Sequence, residues 1–123
     1  MKKIKLAIAD DYPVFREGLL ITLSADDRFE VIIEADNGAE LLEAMSKQLP
    51  DVVIMDYKMP VMDGTEATRK IKERYPSVKV LVISMYEDPK FVSLLTQSGA
   101  DGYLLKNEEP EKIRQAITGL FPE

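Results

Sequence analysis

Asp56 closes the apolar run Val52-Val53-Ile54-Met55, and the chain turns at once to Tyr57-Lys58-Met59-Pro60. A short apolar run that stops at a carboxylate and then a proline reads as a buried strand ending in a loop, which delivers the carboxylate to the edge of a core. Other strand-like runs also stop at polar groups: Ile4 to Ala9 at Asp10-Asp11, Val78 to Ile83 at Ser84, and Tyr103 to Leu105 at Lys106. If these ends meet, Asp10, Asp11 and Asp56 share one crevice, repel one another and raise the pKa of at least one of them. A hard divalent cation relieves that repulsion. Mg2+ takes oxygen ligands at about 2.0–2.1 Å, keeps several waters and commonly shares a substrate phosphate. With Lys106 as a positive point charge and Ser84 as a hydroxyl donor, the set suits phosphoryl transfer with an Asp nucleophile.

The elements that must position these groups can be read in order. A strand over Ile4–Ala9 is apolar apart from Lys5, and Pro13 suits the first turn of a helix that carries Phe15, Leu19, Leu20 and Leu23 and ends near Ala25. Gly18 lies inside that helix, at a cost of about 1 kcal/mol relative to alanine, which suggests close packing against a neighbour. Phe29–Ala35 is a second strand, interrupted by Glu30 and Glu34 and so placed nearer an edge. Asn37-x-x-Glu40 starts a second helix whose apolar face is Leu41, Leu42, Met45 and Leu49, stopped by Pro50. After the Asp56 strand, Asp63-x-x-Glu66 opens a third helix with Ala67, Ile71 and Tyr75 on one side, ended by Pro76. Asp88-Pro89 caps a weaker fourth helix bearing Phe91, Val92, Leu94 and Leu95, which stops at Gly99. The last helix starts at Pro110 and carries Ile113, Ala116, Ile117 and Leu120.

Five strand–helix units with near-continuous apolar strands imply an α/β protein with a parallel sheet covered on both faces. Right-handed crossovers favour a flavodoxin-like, three-layer, doubly wound (βα)5 fold with strand order 2-1-3-4-5, whose ligand sites lie at the carboxyl ends of the strands. The 123 residues make one domain, with no internal repeat. The chain has no Cys and no His, which removes thiol nucleophiles, imidazole metal sites and Ser-His-Asp triads. A net charge of −6 argues against direct nucleic-acid binding. The apolar stretch before Asp10 is too short for a signal-peptide core and no run approaches a membrane span, so a cytoplasmic protein is expected.

The chain resembles a bacterial two-component response-regulator receiver (CheY-like) domain over essentially its whole length. The resemblance is carried by Ile8-Ala9-Asp10-Asp11-Tyr12-Pro13, Phe15-Arg16-Glu17-Gly18-Leu19, Asp56-Tyr57-Lys58-Met59-Pro60 through Met62-Asp63-Gly64, and Gly102-Tyr103-Leu104-Leu105-Lys106. The wording is nearest to NarL/LuxR-type receivers, which precede a helix-turn-helix DNA-binding domain. It implies that Asp56 accepts a phosphoryl group from a phosphohistidine on a sensor histidine kinase. Asp10, Asp11, Asp56 and the backbone carbonyl of Lys58 would then hold Mg2+, for which Mn2+ can substitute. Ser84 and Lys106 match the phosphate-binding and switch positions, and Tyr103 the aromatic that moves between outward and inward rotamers. Lys58 and Tyr86 stand where the family tunes phosphoryl lifetime. Lys106 is followed by Asn107 where proline is common, so a cis bond is not expected there. The receiver would span residues 1–121, with 122–123 the start of a linker or the chain end, and a dimer formed on phosphorylation is left open.

Other readings compete. One of Asp10 or Asp11 could simply cap the Pro13 helix. A Mg2+-dependent Asp-nucleophile phosphatase of the haloacid-dehalogenase type uses Asp-x-Asp, but Lys58 occupies the second position. A nucleotide or flavin binder on the same fold lacks its Gly-rich loop after the first strand. A stand-alone receiver could act through protein–protein contact alone.

Overall fold

The structure, a computed structural model, describes residues 3–85 and 89–121. Five strands, β1 (Ile4–Ala9), β2 (Phe29–Ala35), β3 (Val52–Asp56), β4 (Lys79–Ser84) and β5 (Gly102–Leu105), alternate with five helices. The helices are α1 (Pro13–Ser24), α2 (Gly38–Met45), α3 (Gly64–Arg74), α4 (Pro89–Gln97) and α5 (Pro110–Thr118). All strand pairs are parallel and the order is β2-β1-β3-β4-β5, as the sequence pattern predicts. β2 stands at an edge, where Glu30 and Glu34 remain exposed.

The period-2 alternation of the strands builds the three layers. Leu6, Ile8, Ile54, Leu81 and Ile83 face Leu19 and Leu23 of α1 and Ile113 and Ile117 of α5. Ala7, Ala9, Val53, Met55, Val80 and Val82 face Leu41 and Met45 of α2, Ile71 of α3 and Leu95 of α4. Continuing the first parity beyond the strands puts Asp10, Asp56 and Lys106 on the α1–α5 face; Ser84 and Tyr103 share the parity of Val82.

The predicted helix starts at Asn37 and Asp63 are both capped. Asn37 Oδ1 accepts from the Glu40 N–H and Asp63 Oδ1 from the Glu66 N–H, each at 2.9 Å. Such caps contribute about 1 kcal/mol each. The helix predicted to start at Pro13 is capped differently: its N-cap is Tyr12, with no side-chain bond, and neither Asp10 nor Asp11 takes that position.

Three expectations are corrected. α2 ends at Met45 instead of running to Pro50, because Ser46 folds back with its hydroxyl donating to the Glu43 carbonyl at 2.6 Å. Leu49 therefore leaves the apolar face and is 46% exposed. Gly18 has no close neighbour: a Cβ built there would meet nothing within 4 Å, so packing does not explain it. On α4 the two apolar stripes diverge, with Leu95 buried but Val92 and Leu94 exposed. The Asp88 cap and Tyr86 lie outside the described residues. There is no cis peptide bond among the described residues, Lys106–Asn107 included.

Candidate functional site

Asp10, Asp56, Ser84 and Lys106 converge at the carboxyl edge of the sheet, and Asp11 joins them from the β1–α1 loop. Oxygens of Asp10, Asp11 and Asp56 all lie within 4.8 Å of one another. Asp10 and Asp56 are buried while Asp11 is exposed. Lys106, the residue after β5, places Nζ 3.0 Å from Asp10 Oδ2 and 3.3 Å from Asp56 Oδ2. Its main chain is fixed as well, with the Lys106 N–H donating to the Ser84 carbonyl at 2.8 Å. Asp10 Oδ1 also accepts the Tyr12 N–H at 2.8 Å, a turn that bends the chain from β1 toward α1.

Burial pushes the Asp56 carboxyl up, and the neighbouring Asp10 charge pushes it further; Lys106 pulls it down only in part, leaving it at about 6. Two buried carboxylates and one exposed carboxylate, with the Lys106 ammonium paired to the two buried ones, form an all-oxygen donor set. That chemistry fits a hard divalent cation such as Mg2+. A crevice of about 340 Å³ opens over the cluster, lined by Asp11, Tyr12, Asp56, Lys58, Ser84, Met85 and Lys106.

The loop after Asp56 is tightly constrained. Val61 sits at φ 70°, where a β-branched residue is strained, and the Met62 N–H donates to the Pro60 carbonyl at 2.7 Å in a γ-turn. Gly64 then returns against β3: a Cβ there would stand 2.9 Å from the Asp56 carbonyl oxygen and from Tyr57 Cα, so only glycine fits. Its N–H donates to the Tyr57 carbonyl at 2.7 Å. The segment carrying Lys58 is thereby pinned at both ends beside Asp56.

Of the residues predicted from sequence, Asp10, Asp11, Asp56, Lys58, Ser84 and Lys106 meet in this crevice or line it. Tyr103 does not. It is half-buried on the opposite face of the sheet and lines a cavity of about 290 Å³ with Val92, Leu95 and Thr96 of α4. Sequence reasoning missed the apolar collar. Lys106 Nζ stands 4.6 Å from the Phe15 ring centroid and 5.8 Å from that of Tyr12, within cation–π range. Phe15 reads in the sequence as an ordinary core position of α1, and nothing in its spacing separates the two roles. Met85, 72% exposed, completes the rim.

Residues 6–118 match the family described as the response regulator receiver domain. The transcriptional regulatory protein DegU of Brevibacillus brevis is 41% identical over 94% of this chain and 49% of its own length. A transcriptional regulatory protein NarL of Mycobacterium tuberculosis is 38% identical over 94% of this chain and 54% of its own. The chain thus spans about half the length of the curated relatives it matches. Among solved structures, the signal receiver domain of NarL from Mycobacterium tuberculosis superposes with a TM-score of 0.93 at 37% identity, covering 97% of this chain and 96% of that one.

Proposed function

This chain belongs to the response regulator receiver family, of the NarL/LuxR type, and from that premise we propose that it is a phosphorylation-dependent switch with Asp56 as the phosphoacceptor. The observation that carries the proposal is the placement of the Lys106 ammonium between two buried carboxylates, Asp10 at 3.0 Å and Asp56 at 3.3 Å. It is a signalling domain rather than an enzyme with a substrate of its own; its catalysis extends to its own phosphorylation and dephosphorylation.

An Asp56 carboxylate oxygen attacks the phosphorus of a phosphohistidine on a sensor histidine kinase. The P–O bond forms as the P–N bond breaks, and the electron pair returns to the imidazole nitrogen. Asp10, Asp11, Asp56 and the Lys58 carbonyl would hold Mg2+, or Mn2+ in its place, which neutralises charge on phosphoryl oxygens when bound. Lys106 transfers its pairing from the Asp56 carboxylate to the new phosphoryl group, which carries about 1.5–2 negative charges. Ser84 supplies a hydroxyl donor to the same oxygens. The rearrangement is passed to α4, β5 and α5 through Tyr103, while Lys58 and Tyr86 set how long the acyl phosphate survives.

The receiver comprises residues 1–121. The output is a helix-turn-helix DNA-binding domain in a cytoplasmic transcription regulator, the acidic receiver itself making no nucleic-acid contact. Among the described residues no helix is long and apolar enough to cross a membrane.

Incubation with Mg2+ and a small phosphoramidate donor, read by intact mass, tests the assignment. The wild type is expected to gain one phosphoryl group and Asp56→Asn none. Equal gain by Asp56→Asn would overturn it.

A further inference from the structure

Arg16 occupies the first turns of α1, where a cation opposes the helix dipole. Its side chain is mostly buried, at 21% exposure, and it points away from its own helix. Nη1 donates to the Asp10 carbonyl at 2.9 Å, to the Ala35 carbonyl at 3.0 Å and to the Asp36 carboxylate. These three oxygens belong to the chain leaving β1 and the chain leaving β2, whose last paired residues are Ala9 and Ala35. The Asp10 N–H already donates to the Ala35 carbonyl at 3.1 Å, so Arg16 adds the next tie beyond the end of the ladder.

The Asp10 carbonyl belongs to the peptide unit that joins Asp10 to Asp11. With the Asp10 N–H already tied to Ala35, holding that plane sets the direction in which the Asp10 Cβ leaves the chain and removes one of the rotations that aim the Asp11 Cβ. Asp10 has further restraints on its carboxylate, from the Tyr12 N–H and from Lys106. Asp11 is exposed, so its aim depends chiefly on the backbone that Arg16 holds.

We infer that Arg16 is a positioning residue for divalent-cation binding: it holds the Asp10–Asp11 peptide so that both carboxylates converge with Asp56 before any cation arrives. The inference rests on the reading of this cluster as the receiver's metal site. All three bonds leave the single nitrogen Nη1, so it is the reach of the arginine side chain, one atom longer than lysine, that brings a donor to these oxygens. Groups that orient ligands typically change metal affinity by about 10–100-fold when removed.

The test is Mg2+ affinity by titration calorimetry, with unfolding in EDTA measured in parallel, for wild type, Arg16→Met, Arg16→Lys, Asp11→Asn and Arg28→Gln. Arg28 pairs with Asp26 at 2.7 Å near the start of β2, the end of the sheet away from the cluster, and serves as a stability control. Arg16→Met is expected to weaken Mg2+ binding about 10-fold or more, and Arg28→Gln to leave it within about twofold whatever its stability. Should Arg16→Met fail to fold, Arg16→Lys carries the test, with a loss of about threefold or more expected. The inference is overturned if the Arg16 variants bind Mg2+ like wild type while Asp11→Asn loses affinity. It falls together with the metal-site reading if wild type takes up no Mg2+, or if Asp11→Asn binds it as well as wild type does.

Discussion

On the α1–α5 side of the sheet, Leu6, Ile8, Ile54, Leu81 and Ile83 are sealed beneath Leu19, Leu23, Ile113 and Ile117, and the same face runs on into Asp10, Asp56 and Lys106. At the β4–α4–β5 corner the packing thins. Leu95 is the one buried side chain among those described on α4, Val92 and Leu94 stand in solvent, and every residue of β5 is only half-buried. The two buried carboxylates thus sit on the densely packed side of the sheet, and α4, with which Tyr103 lines a cavity, buries only Leu95 among its described side chains. A site that must bind a cation and orient a reacting carboxylate needs preorganisation. An element that must respond needs a low free energy of local opening. The two demands are met on different faces of one sheet.

The largest test of the contrast is a pair of truncations. Ile54→Ala is expected to cost about 2–5 kcal/mol in urea unfolding, whereas Leu94→Ala, at 48% exposure, should stay within about 0.5 kcal/mol. Similar losses would mean that α4 is as firmly seated as the acceptor side.

The next effect depends on pH. In the metal-free domain the Asp56 carboxyl is raised from 3.8 to about 6. Below 3.8 it is protonated folded and unfolded, and contributes no difference. As pH rises through about 6 it ionises in the fold as well, and the full penalty appears. About two units at 1.36 kcal/mol each make that penalty on the order of 3 kcal/mol. Asp56→Asn should therefore gain on wild type by up to about 3 kcal/mol between pH 4 and 7 in EDTA, and Mg2+ should shrink the gain. A pH-independent difference would mean that burial and the neighbouring Asp10 charge do not hold the Asp56 carboxyl above its ordinary range.

A smaller effect is expected from Gly18→Ala. The site is open to solvent and helical, so alanine should stabilise the domain by about 0.5–1 kcal/mol, read as a higher urea midpoint. A loss would mean that α1 is packed on its outer side too.

The strands and their order were legible because each is an uninterrupted apolar run ending at a polar group, and parallel sheets covered on both faces leave few other topologies. The acidic cluster, Ser84 and Lys106 were legible for the same reason, since a strand end is a fixed address in such a fold. What escaped were facts of contact. Leu49 has the helical spacing, but the Ser46 hydroxyl competes for the backbone before that turn is reached. Val92 and Leu94 are as apolar as Leu95, and spacing does not say which of two neighbouring stripes meets the sheet. Phe15 beneath Lys106 and Arg16 across the ends of β1 and β2 depend on groups distant in sequence. The one local hint was a cation in the first turns of α1, where the helix dipole disfavours it.

Hydrogen exchange read by mass spectrometry, before and after phosphorylation in Mg2+, joins the chemistry at Asp56 to the contrast between the two faces. The account predicts altered exchange concentrated in residues 89–105, with β1, β3 and the buried face of α1 unchanged, and no alteration in Asp56→Asn treated identically. Altered exchange that persists in Asp56→Asn, or that spreads evenly over both faces of the sheet, would contradict it.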